Sequence, residues 1–318
     1  MTDAPAPGPG RPRRRRHDPA GVSDPVVPPG PSTIDLHAHS RRSDGVLEPA
    51  DLVRAAAACG VATFALADHD TLVGYREVVA SGEIPSGLEL IPGVEINAIV
   101  AEDLGLWEGE LHILGLGMDT DDEAFEAALA TQRGRRAERF ERTLRRLAEL
   151  GMPVDAQLAT LVSGPDDALG RPIVARALVA AGLAASVEDA FRRLIGRGTP
   201  GYVPREGLGP AEAIRAIRAA GGLPALAHFS EAPERTALVR ELIDEGLGGL
   251  EVYYRTFDRP TTEAMAATAA ALGLVPTGGT DYHGDTGTYA QSHAGLWVPP
   301  EVADGIHRAG VVGSFAQP

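Results

Sequence analysis

Short apolar segments alternate with amphipathic segments along most of the chain from Thr33 onward. Uninterrupted apolar segments predict buried β-strands, whereas apolar positions that recur every three to four residues predict helices. The predicted strands cover residues 34–36, 61–67, 90–96, 111–116, 223–227, 249–253 and 275–278. The predicted helices between them cover residues 49–59, 210–220, 233–246 and 259–272. Repeated βα units of this kind predict a parallel sheet or barrel whose active site lies at the C-terminal ends of its strands.

Two segments depart from this alternation. Residues 1–31 are dominated by Pro, Gly and Arg without hydrophobic periodicity, which predicts a disordered tail. The basic run Arg13 to Arg16 could contact RNA or an acidic surface, although a solvated tail without specific function is the favoured interpretation. Residues 120–206 have a helical pattern almost throughout and predict an inserted helical subdomain that could act as a lid. Residues 32–119 and 207–318 would then form one α/β domain.

Length and composition narrow the possible chemistry. A chain of 318 residues is long enough for one large α/β domain with a smaller insertion. The single cysteine, Cys59, excludes an internal disulfide and a cysteine-rich zinc module, so any metal must bind nitrogen and oxygen ligands. The formal net charge of -15 disfavours bulk nucleic-acid binding, so local cations or metals must capture an anionic substrate. We expect a cytoplasmic protein, because no membrane span or signal sequence is evident.

The histidines point to a metal site. Six of the nine lie at or beside the ends of predicted strands: His37, His39, His69, His112, His228 and His283. A single histidine at a strand end is more often a hydrogen-bonded structural residue than a ligand. Six on one rim with acidic companions are better explained by a shared function. His37 and His39 are two residues apart on a strand, which places both imidazoles on one face, where they can bind one ion.

The acidic companions have structural interpretations as well. Asp44 could belong to an ordinary turn. Asp70 is interpreted as the N-terminal cap of the following helix. Glu95 is different, because the apolar neighbours Val94 and Ile96 predict a buried strand, where an unpaired carboxylate would be costly. A bound metal would remove that cost.

The motifs DLHAHSRRSDG, ADHDT, PGVE, HILG, GRP, GYVPR, AGGLPALAH and GGTDYHG resemble the PHP (polymerase and histidinol phosphatase) superfamily. Within it, the chain is most similar to bacterial stand-alone phosphoesterases that act on nucleotides and short RNA. The resemblance extends from about Ile34 to Gly284. It implies an α/β fold, a distorted (β/α)7 barrel with an inserted helical subdomain, and two or three divalent metal ions at the C-terminal rim.

The resemblance also implies which side chains bind these ions. One ion would be surrounded by His37, His39, Glu95 and Asp281. Glu95 would bridge to a second ion that is completed by His112 and His228. A third ion would be held by Asp44, His69 and His283. Of these residues, Asp44, His69 and His228 are also expected to be catalytic.

Metal identity and substrate contacts are further expectations. Nitrogen and oxygen ligands suit Mn²⁺, which we expect foremost, or Zn²⁺ or Fe²⁺. The resemblance favours Arg133, Arg136 and Arg171 as phosphate ligands, since guanidinium groups bind phosphate with two parallel hydrogen bonds. Tyr202 and Arg205 are weaker candidates for contacts with a base or ribose. Ile173 follows Gly-Arg-Pro, where many members of the family have a histidine, so substrate preference could differ here.

The sequence therefore predicts an enzyme that hydrolyses phosphomonoesters of nucleotides, AMP or 3',5'-bisphosphate nucleotides, by attack of a hydroxide that bridges two metals. A 5'-3' exoribonuclease acting on short RNA is the alternative with the same chemistry. A non-catalytic, metal-binding regulatory module and an amidohydrolase that cleaves C–N bonds are alternatives from other classes. The partner is expected to be a small phosphorylated substrate, and no DNA polymerase subunit is implied.

Overall fold

The computed structural model describes residues 31–100, 109–161, 170–284 and 287–316. The predicted tail, including Arg13 to Arg16, lies outside these residues except for its last position. The strands are β1 (Ile34–Ala38), β2 (Thr63–Leu66), β3 (Glu89–Ile99), β4 (Glu110–Leu116), β5 (Leu223–Leu226), β6 (Gly249–Tyr254) and β7 (Val275–Gly279). The helices are α1 (Pro49–Ala58), α2 (Val73–Ser81), α3 (Glu123–Glu149), α4 (Asp155–Leu161), α5 (Arg171–Ala180), α6 (Val187–Ala190), α7 (Pro210–Ala219), α8 (Thr236–Asp244), α9 (Arg259–Leu272), α10 (Tyr289–His293) and α11 (Glu301–Arg308), with a π-helical turn at Phe191–Ile195.

The seven strands form a nearly closed barrel in the order β1 to β7. β1 and β7 lie side by side, and the Asp281 backbone N–H donates to the His37 carbonyl at 2.7 Å. A bridge between Ala38 and Tyr282 continues this contact. The predicted seven-stranded α/β barrel is therefore confirmed, and every predicted strand is present.

One strand departs from the predicted parallel arrangement. β4 runs antiparallel to both β3 and β5, whereas the other neighbouring pairs of the sheet are parallel. Only residues 100–109 separate β3 from β4, fewer than the dozen or more that a parallel crossover requires. The physical consequence is that the N-terminal end of β4, and not its C-terminal end, lies at the active-site rim.

Helices α3 to α6 and the π-helical turn fill the interval between β4 and α7. They share a hydrophobic core that includes Phe140, Leu147, Leu178 and Ile195. Ile173 is buried in this core. The predicted boundaries of a separate subdomain at residues 120 and 206 remain a prediction. Within the described ranges, no helix has the length and apolar character needed to cross a membrane.

Candidate metal centre

The C-terminal ends of the strands bring the candidate ligands to one rim. His39 follows β1, His69 follows β2, His228 follows β5 and Asp281 follows β7. Parallel strands end at the same edge of a sheet, so these residues converge although they are far apart in sequence. His112 reaches the same rim from the start of the antiparallel strand β4, where it pairs with residue 97 of β3.

The first group of potential ligands has the spacing of a tetrahedral site. It consists of His37, His39, Glu95 and Asp281. The two Nε2 atoms of His37 and His39 are 3.1 Å apart, and His39 Nε2 lies 3.3 Å from Glu95 Oε2 and 3.2 Å from Asp281 Oδ1. Four donors about 2.1 Å from one ion in a tetrahedron lie about 3.4 Å apart. The group therefore fits an ion at its centre.

Glu95 connects this group to a second one. Its Oε2 atom faces the first group, while its Oε1 atom lies 2.8 Å from His112 Nδ1 and 3.0 Å from His228 Nε2. The carboxylate is 1% exposed, and its two oxygens face different groups of potential ligands, so it would be able to contribute to both. The bridging role that the family resemblance implies for Glu95 remains a prediction.

A third group contains His39, Asp44, His69 and His283. Asp44 is central, with Oδ1 at 3.1 Å from His283 Nε2 and Oδ2 at 3.6 Å from His69 Nε2. The structure adds His39 to the three residues predicted for this ion, since its Nδ1 atom lies 3.9 Å from Asp44 Oδ1.

Buried atoms without hydrogen bonds support cation binding at these groups. Asp44 Oδ1, His69 Nδ1 and Asp281 Oδ1 are buried and make no hydrogen bond. Each of these atoms lies 3.0–3.2 Å from an imidazole or carboxylate atom without forming a hydrogen bond, and a metal ion would satisfy all three. The donors are exclusively imidazole nitrogens and carboxylate oxygens, a set suited to divalent transition-metal ions.

Glu95 and His37 are stabilised in their charged forms by neighbouring groups, whereas burial lowers the pKa of His69 well below its ordinary value. Burial alone would raise the pKa of Glu95, but the imidazoles of His112 and His69 outweigh it and hold this pKa well below its ordinary value. Burial likewise opposes a charged His37, yet the carboxylates of Glu251 and Glu95 raise the pKa of His37 well above its ordinary value. The ionised form of Glu95 is therefore favoured, and a divalent cation can replace the proton on His37.

Glu251 of β6 is a supporting residue that the sequence analysis missed. Its fully buried carboxylate accepts a hydrogen bond from His37 Nδ1 at 3.1 Å and one from the His228 backbone N–H at 2.7 Å. The first contact leaves His37 Nε2 free to face the metal groups. Glu251 interrupts an apolar strand, as Glu95 does, so the same sequence signal could have identified it.

Two other buried carboxylates position the loops of the rim. Asp35 accepts from the Thr280 backbone N–H at 2.9 Å and the Tyr289 hydroxyl at 2.7 Å, which ties β1 to the segment that carries Asp281. Asp68 accepts from the Ser40 backbone N–H and the Ser43 hydroxyl, both at 2.7 Å. Asp68 thereby fixes the loop that presents Asp44.

The backbone at the rim is strained. Asp70, His228 and Asp281 have positive φ values of 55°, 31° and 47°. Residues other than glycine rarely adopt this region, and such strain persists where surrounding contacts enforce it. The interpretation of Asp70 as a helix cap was wrong, because Leu72 occupies the cap position of α2 without a side-chain hydrogen bond. Asp70 is instead buried against Arg136.

Arginines gather beside the metal groups. Arg205 contacts Glu110 at 2.6 Å, and Arg171 approaches the same carboxylate at 3.3 Å. Burial alone would raise the pKa of Glu110, but Arg205 and Arg171 lower it to about 2. Burial and the neighbouring Arg171 lower the pKa of Arg139, which is a sign that positive charge is crowded here.

The predicted phosphate ligands differ in their placement. Arg136 donates to Asp70 and, at 3.1 Å, to Asn97 Oδ1, and Asn97 Nδ2 lies 2.8 Å from His112 Nε2. One side chain therefore separates Arg136 from the metal ligands. Arg133 instead donates to the Asp70 carbonyl at 2.8 Å and to Glu126 at 2.7 Å. Its role as a phosphate ligand remains a prediction.

A cavity of about 290 Å³ joins the metal groups to the arginines. Its described walls include candidate metal ligands, guanidinium groups and apolar side chains of the helical segment: Asp44, His69, Glu95, His112, His228, Asp281, His283, Arg136, Arg139, Arg171, Arg205, Phe140, Val174 and Phe191. Arg171 also lies 5.5 Å from the centroid of the Phe191 ring. The cavity can therefore hold an anionic ligand with an apolar or aromatic part.

Comparisons with known proteins agree with this chemistry. The family model of the PHP domain matches residues 35–156. The chain is 34% identical over 255 residues to a 5'-3' exoribonuclease of Haemophilus influenzae, covering 78% of this chain and 89% of that protein. It is 30% identical over 256 residues to a 3',5'-nucleoside bisphosphate phosphatase of Chromobacterium violaceum, with 79% and 87% covered. A candidate metal-dependent phosphoesterase from Bifidobacterium adolescentis has a similar structure, with a TM-score of 0.75, 32% identity, and coverage of 89% of this chain and 98% of that chain.

Proposed function

This chain belongs to the PHP domain family and is a metal-dependent phosphoesterase, and from that premise we propose that it acts on nucleotides that carry two phosphate groups. One phosphate would lie at the metal groups and be hydrolysed, and the other would lie at the arginines. The observation that carries the proposal is the cavity that joins these two kinds of anion site.

The charge balance of the arginine end supports a second phosphate. The guanidinium groups of Arg136, Arg139, Arg171 and Arg205 face the carboxylates of Asp70 and Glu110. Four positive charges against two negative charges leave a surplus of two. Guanidinium groups form charge-assisted hydrogen bonds with phosphate, and a phosphate would balance this surplus.

The size and lining of the cavity support a nucleotide. A volume of about 290 Å³ is close to the lower limit of the roughly 300–1,000 Å³ that small-molecule sites occupy. Phe191 and the largely buried Phe140 belong to the lining, and aromatic rings stack favourably on bases. AMP would occupy only one anion site at a time, so a 3',5'-bisphosphate nucleotide uses the cavity more completely.

The ligand groups define the hydrolytic end. Divalent ions, for which we propose Mn²⁺ with Zn²⁺ or Fe²⁺ as alternatives, would supply charge stabilisation and ionise water near neutral pH. Glu95 would hold the first two groups at a fixed separation, since its two oxygens face different groups. Asp44, His69 and His228 line the cavity, and we assign them contact with the reacting phosphate.

The test measures phosphate release by metal-stripped protein resupplied with Mn²⁺. We expect a 3',5'-bisphosphate nucleotide to be hydrolysed at least tenfold more efficiently than AMP. Arg171→Ala should lower kcat/KM for the bisphosphate by about 10–100-fold, since a hydrogen bond to a charged group contributes about 1.5–3 kcal/mol. Arg142→Ala is the matched control, because Arg142 is exposed and pairs with Glu206.

Two results would contradict the proposal. Equal turnover of AMP and the bisphosphate, unaffected by Arg171→Ala, would show that the arginines do not bind a second phosphate. Tight metal binding without turnover of any phosphate ester would favour a regulatory module.

A 5'-3' exoribonuclease is the second candidate, and it is favoured by the similarity to the enzyme of Haemophilus influenzae. The first nucleotide of a 5'-phosphorylated RNA also carries one phosphate on each side of its ribose. The two candidates therefore differ only in whether the 3'-phosphate is a monoester or is joined to another nucleotide.

A further inference from the structure

We propose that a groove on the outer side of Asp44 binds the second nucleotide of a short RNA, and that Arg41 and Arg176 contact the phosphate on its 3' side. The inference rests on the proposed function, since it places the first nucleotide in the cavity. It adds a substrate position that would distinguish RNA from a mononucleotide.

The groove adjoins the metal centre at Asp44. It has a volume of about 170 Å³, and Asp44 lines both the groove and the cavity. We therefore place the scissile phosphate at the metal groups beside Asp44, with the substrate extending past Asp44 into the groove. The first nucleotide, attached to the scissile phosphate through its 3'-oxygen, would lie in the cavity. The second nucleotide, attached through its 5'-oxygen, would lie in the groove.

The charge of the groove suits a phosphate. Arg41 and Arg176 belong to its described lining. Arg176 is exposed on α5, and Arg41 pairs at 3.3 Å with Glu48, which also pairs at 3.1 Å with Arg42. Exposed ion pairs of this kind contribute little to stability, so an incoming phosphate can replace the carboxylate at small cost.

The rest of the lining suits a nucleobase. Val46 is 46% exposed, an unusual exposure for a large apolar side chain in this protein. It packs against the backbone of Gly284, where a Cβ atom would lie only 2.1 Å from Val46 Cγ2. Leu161 also lines the groove, together with the largely buried Ile173. Aliphatic side chains of this kind can pack against the flat face of a base.

The reaction follows from this placement. Water adds its oxygen to the scissile phosphorus, the bond from phosphorus to the 3'-oxygen of the first nucleotide breaks, and that oxygen takes up a proton. The products are a nucleoside 5'-phosphate in the cavity and an RNA shortened by one nucleotide, which retains a 5'-phosphate. The same bond breaks in a 3',5'-bisphosphate nucleotide, where the groove is not needed.

The experiment compares two substrates in the Mn²⁺-loaded full-length protein. The double variant Arg41→Ala/Arg176→Ala should hydrolyse a 3',5'-bisphosphate nucleotide within twofold of the wild-type kcat/KM. Its kcat/KM for a 5'-phosphorylated trinucleotide should fall by 10-fold or more. Arg54→Ala is the matched control, because Arg54 is an exposed arginine paired with Asp51 outside the groove.

A binding measurement tests the groove independently of turnover. The probe is a fluorescent 5'-phosphorylated trinucleotide with slowly hydrolysed phosphorothioate linkages. In the double variant, the slope of log affinity against log salt should become shallower by about 0.7, the contribution of one phosphate contact to a single strand.

The outcomes separate the two proposals. Failure of the wild-type protein to hydrolyse the bisphosphate would overturn the proposed function, whereas the binding measurement would still test the groove. An unchanged trinucleotide affinity and salt slope in the double variant would overturn the groove proposal. Equal losses on both substrates would also overturn it, because the arginines would then support the shared centre.

Discussion

Replacing Glu251 with Gln should weaken metal binding although Glu251 touches neither the cavity nor a substrate. Its two carboxylate oxygens accept from different donors, His37 Nδ1 at 3.1 Å and the His228 backbone N–H at 2.7 Å. The side chain of glutamine has one acceptor oxygen and an NH2 group that only donates. In Glu251→Gln, one of the two donors therefore faces another donor.

Either orientation of the new amide is harmful. An amide N–H that faces His37 Nδ1 favours the tautomer with the proton on Nε2, the atom that faces His39 and Glu95. If the NH2 group of the glutamine faces the His228 backbone N–H instead, that buried donor is left unsatisfied, at a residue with a φ value of 31°. A buried unsatisfied donor costs about 1–3 kcal/mol, which corresponds to roughly 5–150-fold in an equilibrium constant.

The expected result is a 10–100-fold loss of Mn²⁺ affinity, the range typical of residues that orient metal-binding histidines. The assay is titration calorimetry of the metal-free protein, together with circular dichroism to verify folding. Glu241→Gln removes an exposed carboxylate on α8 and should bind Mn²⁺ normally. Glu251→Asp retains two acceptor oxygens and should recover part of the affinity. A folded Glu251→Gln protein with wild-type affinity would refute the reasoning.

Three further predictions concern stability and the rim. Removal of metal by a chelator should lower Tm by roughly 5–10 °C in a thermal melt, because a ligand at 1,000 times its Kd stabilises the folded protein by about 4 kcal/mol. An unchanged Tm would argue against metal in the folded protein. Gly279→Ala should abolish metal binding in calorimetry, since its Cβ atom would lie 2.4 Å from His37 Cβ. The control Gly134→Ala in α3 meets nothing within 4 Å and should raise the unfolding free energy by about 0.5–1 kcal/mol. Asp68→Asn should lower kcat by about tenfold in the phosphate-release assay by loosening the loop that carries Asp44, and full activity would contradict that role for Asp68.

Local sequence patterns determined the strands and most candidate ligands. Alternating apolar and amphipathic segments place the strands within a few residues of their observed bounds, because burial in a barrel requires continuous apolar strands. His37 and His39 were identifiable by their spacing, and Glu95 by its apolar neighbours. These signals are local, since each depends on the chemistry of one short segment.

Tertiary structure decided how these segments face one another. The reversal of β4 places His112 at the rim from the start of its strand, a position that the parallel βα pattern did not predict. Pairing of Glu251 with His37 joins residues 214 positions apart, and the approach of Arg205 to Glu110 joins residues 95 positions apart. No local pattern contains such contacts, because strand order and direction, and the packing of the helices over the rim, determine which buried charges meet.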